Sequence, residues 1–294
     1  MISIQQLSQE VAIGTDTLRI WERRYGFPVP QRDSRGHRRY SDQQVEELRI
    51  VKMLQSLGYR PNKIFALDAA GRKTLLDKEL DQNQPENTAL LQLAKQLSPH
   101  EIDRDLRGRL EKLGPTNFVF QVAVPLIKTL DRGWSDGTIS IAREHLVSDR
   151  LEQLLKEQLA DPEPSATTPQ LLFLTLNGEW HKIGLLLAAV LFRSAGLGCL
   201  LIHEELPLSE VPQLALDLDV AAVALSFSSH YPTRQAKKDL ALLRNKLDPK
   251  IRLIAGGQAV QDGVALQNLI ICSELEQIPA ISSKLLSELR AQTG

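Results

Sequence analysis

Apolar residues recur at helical spacing through the first half of the chain and then change period. Ile4, Leu7 and Val11 fall on one face of a short helix. Gly14 interrupts it, and residues 15–24 read as a second short helix opened by Thr and Asp caps. Phe27-Pro28-Val29-Pro30 has to be extended, because residues before proline avoid the α region. Ser41 and Asp42 then cap a third helix with the stripe Val45, Leu48, Val51 and Leu54. Further on, Ser98-Pro99-His100-Glu101 fits a capping box with proline in the first turn. Val122, Val124, Leu126, Ile127 and Leu130 mark an apolar helix that Pro125 should kink. Another helix runs from about Thr138 to Leu159, with Ala142, Leu146, Leu154 and Leu155 inward. Four helices joined by short loops predict a small bundle.

Beyond residue 169 the pattern shortens to nearly continuous apolar runs. These are Leu171–Leu176, Cys199–Ile202, Val220–Leu225, Ile251–Ala255 and Leu269–Cys272, with helical patterns between them. Runs without alternation are what strands buried on both faces look like, so this part reads as a parallel sheet in βαβ units. Such sheets bind ligands beyond the carboxyl ends of their strands, which directs attention to residues 177–184, 226–230 and 255–258. Two polar stretches, Asp77–Asn87 and the proline-rich Ala160–Pro169, read as linkers. The expected architecture is therefore multidomain α+β. A winged helix-turn-helix occupies 1–75, a four-helix bundle 88–160 and a Rossmann-like α/β domain 170–294.

Composition changes this picture only when it is taken by segment. The 294 residues suffice for two or three domains, and the net charge of −1 points away from nucleic acid. Residues 1–60, however, hold ten Lys/Arg against seven Asp/Glu. Within 19–39, Arg19, Arg23, Arg24, Arg32, Arg35, Arg38 and Arg39 face only Glu22 and Asp33. An Arg-rich head is thus masked by acidic residues elsewhere. The opening MISIQQLSQE has no basic stretch leading into an apolar one, so no secretory leader is expected. The apolar run 183–192 is too short to span a bilayer, and no membrane partner is expected. Cys199 and Cys272 stand alone, which excludes a disulfide scaffold or Cys-based zinc site and suits a reducing cytoplasm.

In a winged helix-turn-helix the second helix enters the major groove. Here it carries Arg19, Arg23 and Arg24 around Trp21, and arginine suits guanine edges and phosphates. Gly36-His37-Arg38-Arg39-Tyr40 would lay a tight basic turn on the sugar-phosphate backbone. The string TLRIWERRYGFPVPQRDSRGHRRYS resembles the MerR family of DNA-binding regulators over residues 1 to about 70. The resemblance implies a dimer on an inverted-repeat double-stranded operator. It carries DNA contacts onto Arg19, Arg23, Arg24, Tyr25, His37, Arg38, Arg39 and Tyr40, with Trp21 packed between helix and wing.

In the last segment a loop after the first strand holds Glu179-Trp180-His181-Lys182-Ile183-Gly184. A carboxylate two residues before a histidine can orient its ring, which is metal-ligand logic. Ser226-Phe227-Ser228 and Gly256-Gly257 follow on the same expected edge. Together these elements resemble the cobalamin-binding domain of methionine synthase and the mutases. The resemblance implies a cobalamin whose dimethylbenzimidazole tail slots into the sheet. His181 would be the lower axial cobalt ligand, oriented by Glu179. Ser226 and Ser228 would contact the tail, Gly256 and Gly257 would give it room, and Gly184, which ends the histidine motif, would belong to the same cofactor-binding set.

In the bundle, Trp134, Glu144 and His145 form the pattern W-x9-EH. Beside the other two parts this resembles the CarH/CarA/LitR group of regulators. The resemblance places Trp134 over the upper corrin face, near a 5′-deoxyadenosyl group, with Glu144 and His145 close by. Light-sensing members carry a histidine directly after that tryptophan. Here Ser135, a poor cobalt ligand, stands there. The chain is accordingly expected to be a cytoplasmic regulator and not an enzyme. Adenosylcobalamin, or alternatively methylcobalamin or hydroxocobalamin, would control a homodimer or homotetramer and so the hold on the operator, with repression as the typical outcome. The rival readings are a MerR-type regulator of another ligand and a cobalamin-dependent methyltransferase or mutase subunit.

Overall fold

The computed structural model describes residues 1–11, 13–33, 36–56, 59–79, 85–160, 168–261, 263–264 and 266–293. Arg35 and parts of the two predicted linkers, 80–84 and 161–167, lie outside the described residues. By contacts the chain forms two compact units. One comprises Met1–Ser98 with Val124–Val147, the other Pro99–Ala123 with Ser148–Gly294. The helices expected as one bundle over 88–160 are shared between them.

The first unit begins with strand β1 (Ile2–Ser3), helices α1 (Ile4–Val11) and α2 (Thr15–Tyr25), and strands β2 (Gln31–Arg32) and β3 (Arg38–Tyr40). The three strands pair antiparallel in the order β1-β3-β2. Helices α3 (Asp42–Ser56), α4 (Pro61–Phe65), α5 (Ala69–Glu79) and α6 (Pro85–Gln96) follow. Of the first and third predicted stripes, Leu7, Val11, Val45, Leu48, Val51 and Leu54 are buried and Ile4 is partly so, and Leu18, which no stripe had marked, joins them from α2. The caps divide. Ser41 Oγ accepts the Gln44 N–H at 3.3 Å, as expected. At α2 the N-cap is Gly14, with no side-chain bond, and Thr15 is already helical.

Helix α7 (Pro99–Phe118) is broken at Gly114 (φ 72°, ψ 162°), a left-handed conformation available to glycine. A π-helical turn, Val119–Ala123, then leads into α8 (Val124–Ser135). This wide turn is the form taken by the irregularity expected at Pro125. It relieves the clash of the ring with the carbonyl four residues back. Helix α9 (Ile141–Leu159) follows. Within the first unit Arg143 caps the end of α6, donating to the carbonyls of Ala94 at 2.8 Å and Leu97 at 2.9 Å.

The second unit is built on strands β4 (Gln170–Leu174), β5 (Gly198–Leu201), β6 (Ala222–Ser226), β7 (Arg252–Gly256) and β8 (Leu269–Cys272). All five match predicted runs. They pair parallel in the order β5-β4-β6-β7-β8. Helices α10 (Ile183–Ser194), α11 (Val211–Asp217), α12 (Thr233–Lys246) and α13 (Ile278–Thr293) connect or follow them. Leu171–Leu174 are completely buried, as a strand covered on both faces must be. The chain leaves β4 in one direction to β5 and returns on its other side to β6. This reversal opens a crevice at the carboxyl ends of β4 and β6. Among the described residues no helix is long and apolar enough to cross a membrane.

Candidate functional site

On α2, Arg19, Arg23 and Arg24 are exposed while Leu18 and Trp21 are buried. The helix therefore sorts its basic residues outward by its period. Trp21 meets the edge of Phe65 at 5.1 Å, and Tyr25 stacks on the same ring at 4.6 Å. Ile20 was not singled out from sequence. It is 45% exposed amid the arginines, an apolar side chain on a basic face.

The wing is organised by carboxylates. Asp33 accepts the His37 N–H at 2.9 Å and the Arg39 Nε–H at 3.0 Å. Glu22 on α2 receives the Arg38 guanidinium, Nε to Oε2 at 3.0 Å, which ties wing to helix. Arg38 and Arg39 are thus half-buried and paired, whereas the His37 side chain stands out in solvent. Tyr40 is corrected. It is wholly buried, facing Ile2 across the strands, and its hydroxyl has no partner among the described residues. A side chain closed inside the core cannot touch a phosphate.

At the sheet edge the loop after β4 turns on Gly178 (φ +91°), whose N–H donates to Glu205 Oε2 at 2.6 Å. The turn buries Glu179 to 1% exposure and leaves His181 half in solvent. Glu179 Oε1 accepts the His181 N–H at 2.9 Å and lies 3.1 Å from its Nδ1. Glu179 Oε2 accepts the Ser228 N–H at 2.6 Å. Burial works to raise the pKa of Glu179, but the hydrogen bonds from His181 and Ser228 outweigh it and hold the carboxyl below its ordinary value. An ionised carboxylate only accepts, so the ring proton belongs on Nδ1 and the lone pair on Nε2.

Ser228 belongs to this network. Its Oγ lies 3.2 Å from His181 Nδ1 and accepts the His230 N–H at 3.1 Å. The sequence reading had placed this hydroxyl beside a cofactor tail, and here it also borders the histidine. Ser226, at the end of β6, is a direct neighbour of Gly184: a Cβ on Gly184 would sit 3.6 Å from its Oγ, in ordinary contact. Gly257 (φ +92°) has a reason of its own, since a Cβ there would meet the Phe227 carbonyl oxygen at 2.3 Å. Gly256 pairs with Ser226 across β6 and β7.

Trp134, Glu144 and His145 belong to the first unit. The Arg49 guanidinium lies over the Trp134 ring at 5.9 Å, and Glu144 Oε2 contacts His145 Nδ1 at 2.6 Å. Gly133 lets Ile139 pack against the helix where any side chain would collide. Ser135 is buried and donates to the Arg132 carbonyl at 2.8 Å.

Residues 2–68 match the MerR HTH family regulatory protein profile. The HTH-type transcriptional repressor CarH of Myxococcus xanthus is 26% identical over 264 residues, covering 86% of this chain and 88% of that one. The HTH-type transcriptional repressor CarA of the same organism is 25% identical over 232 residues, covering 77% and 76%. Residues 2–68 are therefore a MerR-type helix-turn-helix head, in a chain similar over most of its length to two transcriptional repressors. The basic helix and carboxylate-braced wing lie within that matched head, and a parallel-sheet unit of different architecture follows it. The Methanosarcina barkeri monomethylamine corrinoid protein has a similar fold, with a TM-score of 0.50 at 13% identity, covering 71% of this chain and 99% of that one.

The donor set at the sheet edge suits a corrinoid. An imidazole with Nδ1 engaged by a buried carboxylate offers Nε2 to a transition metal. Two buried polar atoms without partners among the described residues, Thr175 Oγ1 and Gln258 Oε1, lie just past β4 and β7 on the same edge. Buried polar atoms left unpaired fit a site completed by a polar ligand.

Proposed function

We propose that this regulator is cobalamin-responsive, with His181 as the lower axial ligand to cobalt and occupancy controlling its hold on a double-stranded operator. The observation that carries the reading is the Glu179–His181 pair, buried carboxylate and outward imidazole, at the strand-order reversal of a sheet domain joined to a DNA-binding head.

Bound cobalamin supplies a cobalt ion and, in the adenosyl form, a light-labile cobalt–carbon bond. The protein's own part is orientation. Glu179 keeps the proton on Nδ1, fixes the ring and raises its basicity toward the metal. Ser226 and Gly184 border the crevice for the dimethylbenzimidazole tail, and Gly256 continues it toward β7. Adenosylcobalamin is the proposed form. Ser135 is both chemically unsuited to cobalt and turned inward to Arg132, so light capture by a second histidine there is not part of the reading.

Occupancy is proposed to set whether two or four copies associate. Joining heads raises the effective concentration of each at its half-site without any new contact. The direction proposed is repression, the action named for CarH and CarA. The test uses duplexes selected by the protein from a random library, with affinity measured in the dark with and without adenosylcobalamin. The expected change is about tenfold or more. Equal affinity in both conditions would overturn the regulatory reading.

A further inference from the structure

The ring of His230 lies flat against that of His181, with centroids 4.0 Å apart and planes 12° from parallel. No motif in the sequence marks it, yet its backbone is held as firmly as that of His181. The His230 N–H donates to Ser228 Oγ at 3.1 Å, and the next N–H, of Tyr231, donates to the Ser228 carbonyl at 3.1 Å. Tyr231 is itself buried, edge-on to Phe227 at 5.1 Å, and its hydroxyl donates to Asp239 on α12 at 2.8 Å. His230 therefore projects from a turn fixed at both ends.

Glu179 and Ser228 constrain only the Nδ1 corner of the His181 ring. A ring held at one corner can still rock about that contact. A flat partner on one face removes that freedom and fixes the direction of Nε2. We propose that His230 is a positioning residue for the cobalt ligand, a stacking wall that presets the His181 imidazole for axial coordination. The inference rests on the cobalamin reading above and adds the element that makes the ligand rigid. Flatness is what the role requires, so phenylalanine should serve and alanine should not.

The test uses full-length protein carrying nitrogen-15 histidine, loaded anaerobically with cob(II)alamin and examined by electron paramagnetic resonance. A protein histidine on cobalt splits each cobalt line into a doublet, whereas the cofactor's own nitrogen-14 base gives a triplet. Wild type should show the doublet and His181→Ala should lose it. His230→Ala should lose most of it, with cob(II)alamin affinity lowered about tenfold or more, as for other residues that orient a metal ligand. His230→Phe should restore both. If His181→Ala abolishes the doublet while His230→Ala keeps it in full at unchanged affinity, the stacking role is wrong and the cobalamin reading stands. A failure of His230→Phe to restore the doublet would also overturn the role. If wild type never shows the doublet, the cobalamin reading itself has failed.

Discussion

Three residues show how far residue type alone can mislead. Tyr40 sits at the end of a basic string and reads as a phosphate contact, but β3 turns it into the core with its hydroxyl unpaired among the described residues. A buried hydroxyl without a partner contributes no hydrogen-bond stability. Tyr40→Phe should therefore leave DNA affinity unchanged and shift stability by no more than about 1 kcal/mol, in the favourable direction. Operator titration and urea unfolding of the variant check both. Gly257 is glycine because the Phe227 carbonyl occupies its Cβ position, a reason internal to the fold and separate from any ligand. Lys52 on α3 is the third. Burial lowers its pKa to about 8 from 10.5. The unfolded chain then binds that proton more tightly than the folded one. Stability attributable to this group rises with pH from about 8 to 10.5, and below about 8 the full penalty applies. Lys52→Met should stabilise the protein near neutral pH by about 1–2 kcal/mol and lose that advantage above the unfolded pKa. Urea unfolding across pH measures it.

At the scale of elements, apolar period made most of the molecule legible. The stripes of α1 and α3 and all five parallel strands lie where apolar spacing put them, because burial on one face or on both leaves different patterns. The Glu179–His181 pair was legible too, since both residues sit in one short loop at a strand end. What sequence did not show depends on tertiary neighbours. The Ser228 hydroxyl turns to His181 across 47 positions, and the stack of His230 on that ring comes from two loops meeting. Whether an arginine is exposed or braced by a carboxylate is likewise a property of the folded head. That distinction changes the expected DNA energetics. Arg23 and Arg24 face outward on α2, whereas Arg38 is joined to Glu22. Arg23→Ala and Arg24→Ala should each reduce the slope of log affinity against log salt by about 1. Arg38→Ala should change that slope less and lower the unfolding midpoint, because it leaves Glu22 unpaired. Salt-dependent binding curves with melting data separate the two classes.

For the whole molecule, a net charge of −1 conceals a division of labour. Seven arginines concentrate within residues 19–39 of the head, and the sheet unit presents a histidine oriented by a buried carboxylate at the edge where its topology opens. In the proposed reading, a head that reads DNA and a domain that holds a cofactor are useful together only if occupancy of the second is felt by the first. That coupling presupposes specific loading through His181. The most direct measurement is the absorption spectrum of the full-length protein after incubation with adenosylcobalamin in the dark and gel filtration, beside His181→Ala treated identically. The account predicts that the corrin spectrum co-elutes with wild type as the cofactor with its own base displaced, and that the variant loses either the cofactor or that spectral form. Co-elution of the same spectrum in the same amount from both proteins, or from neither, would contradict it.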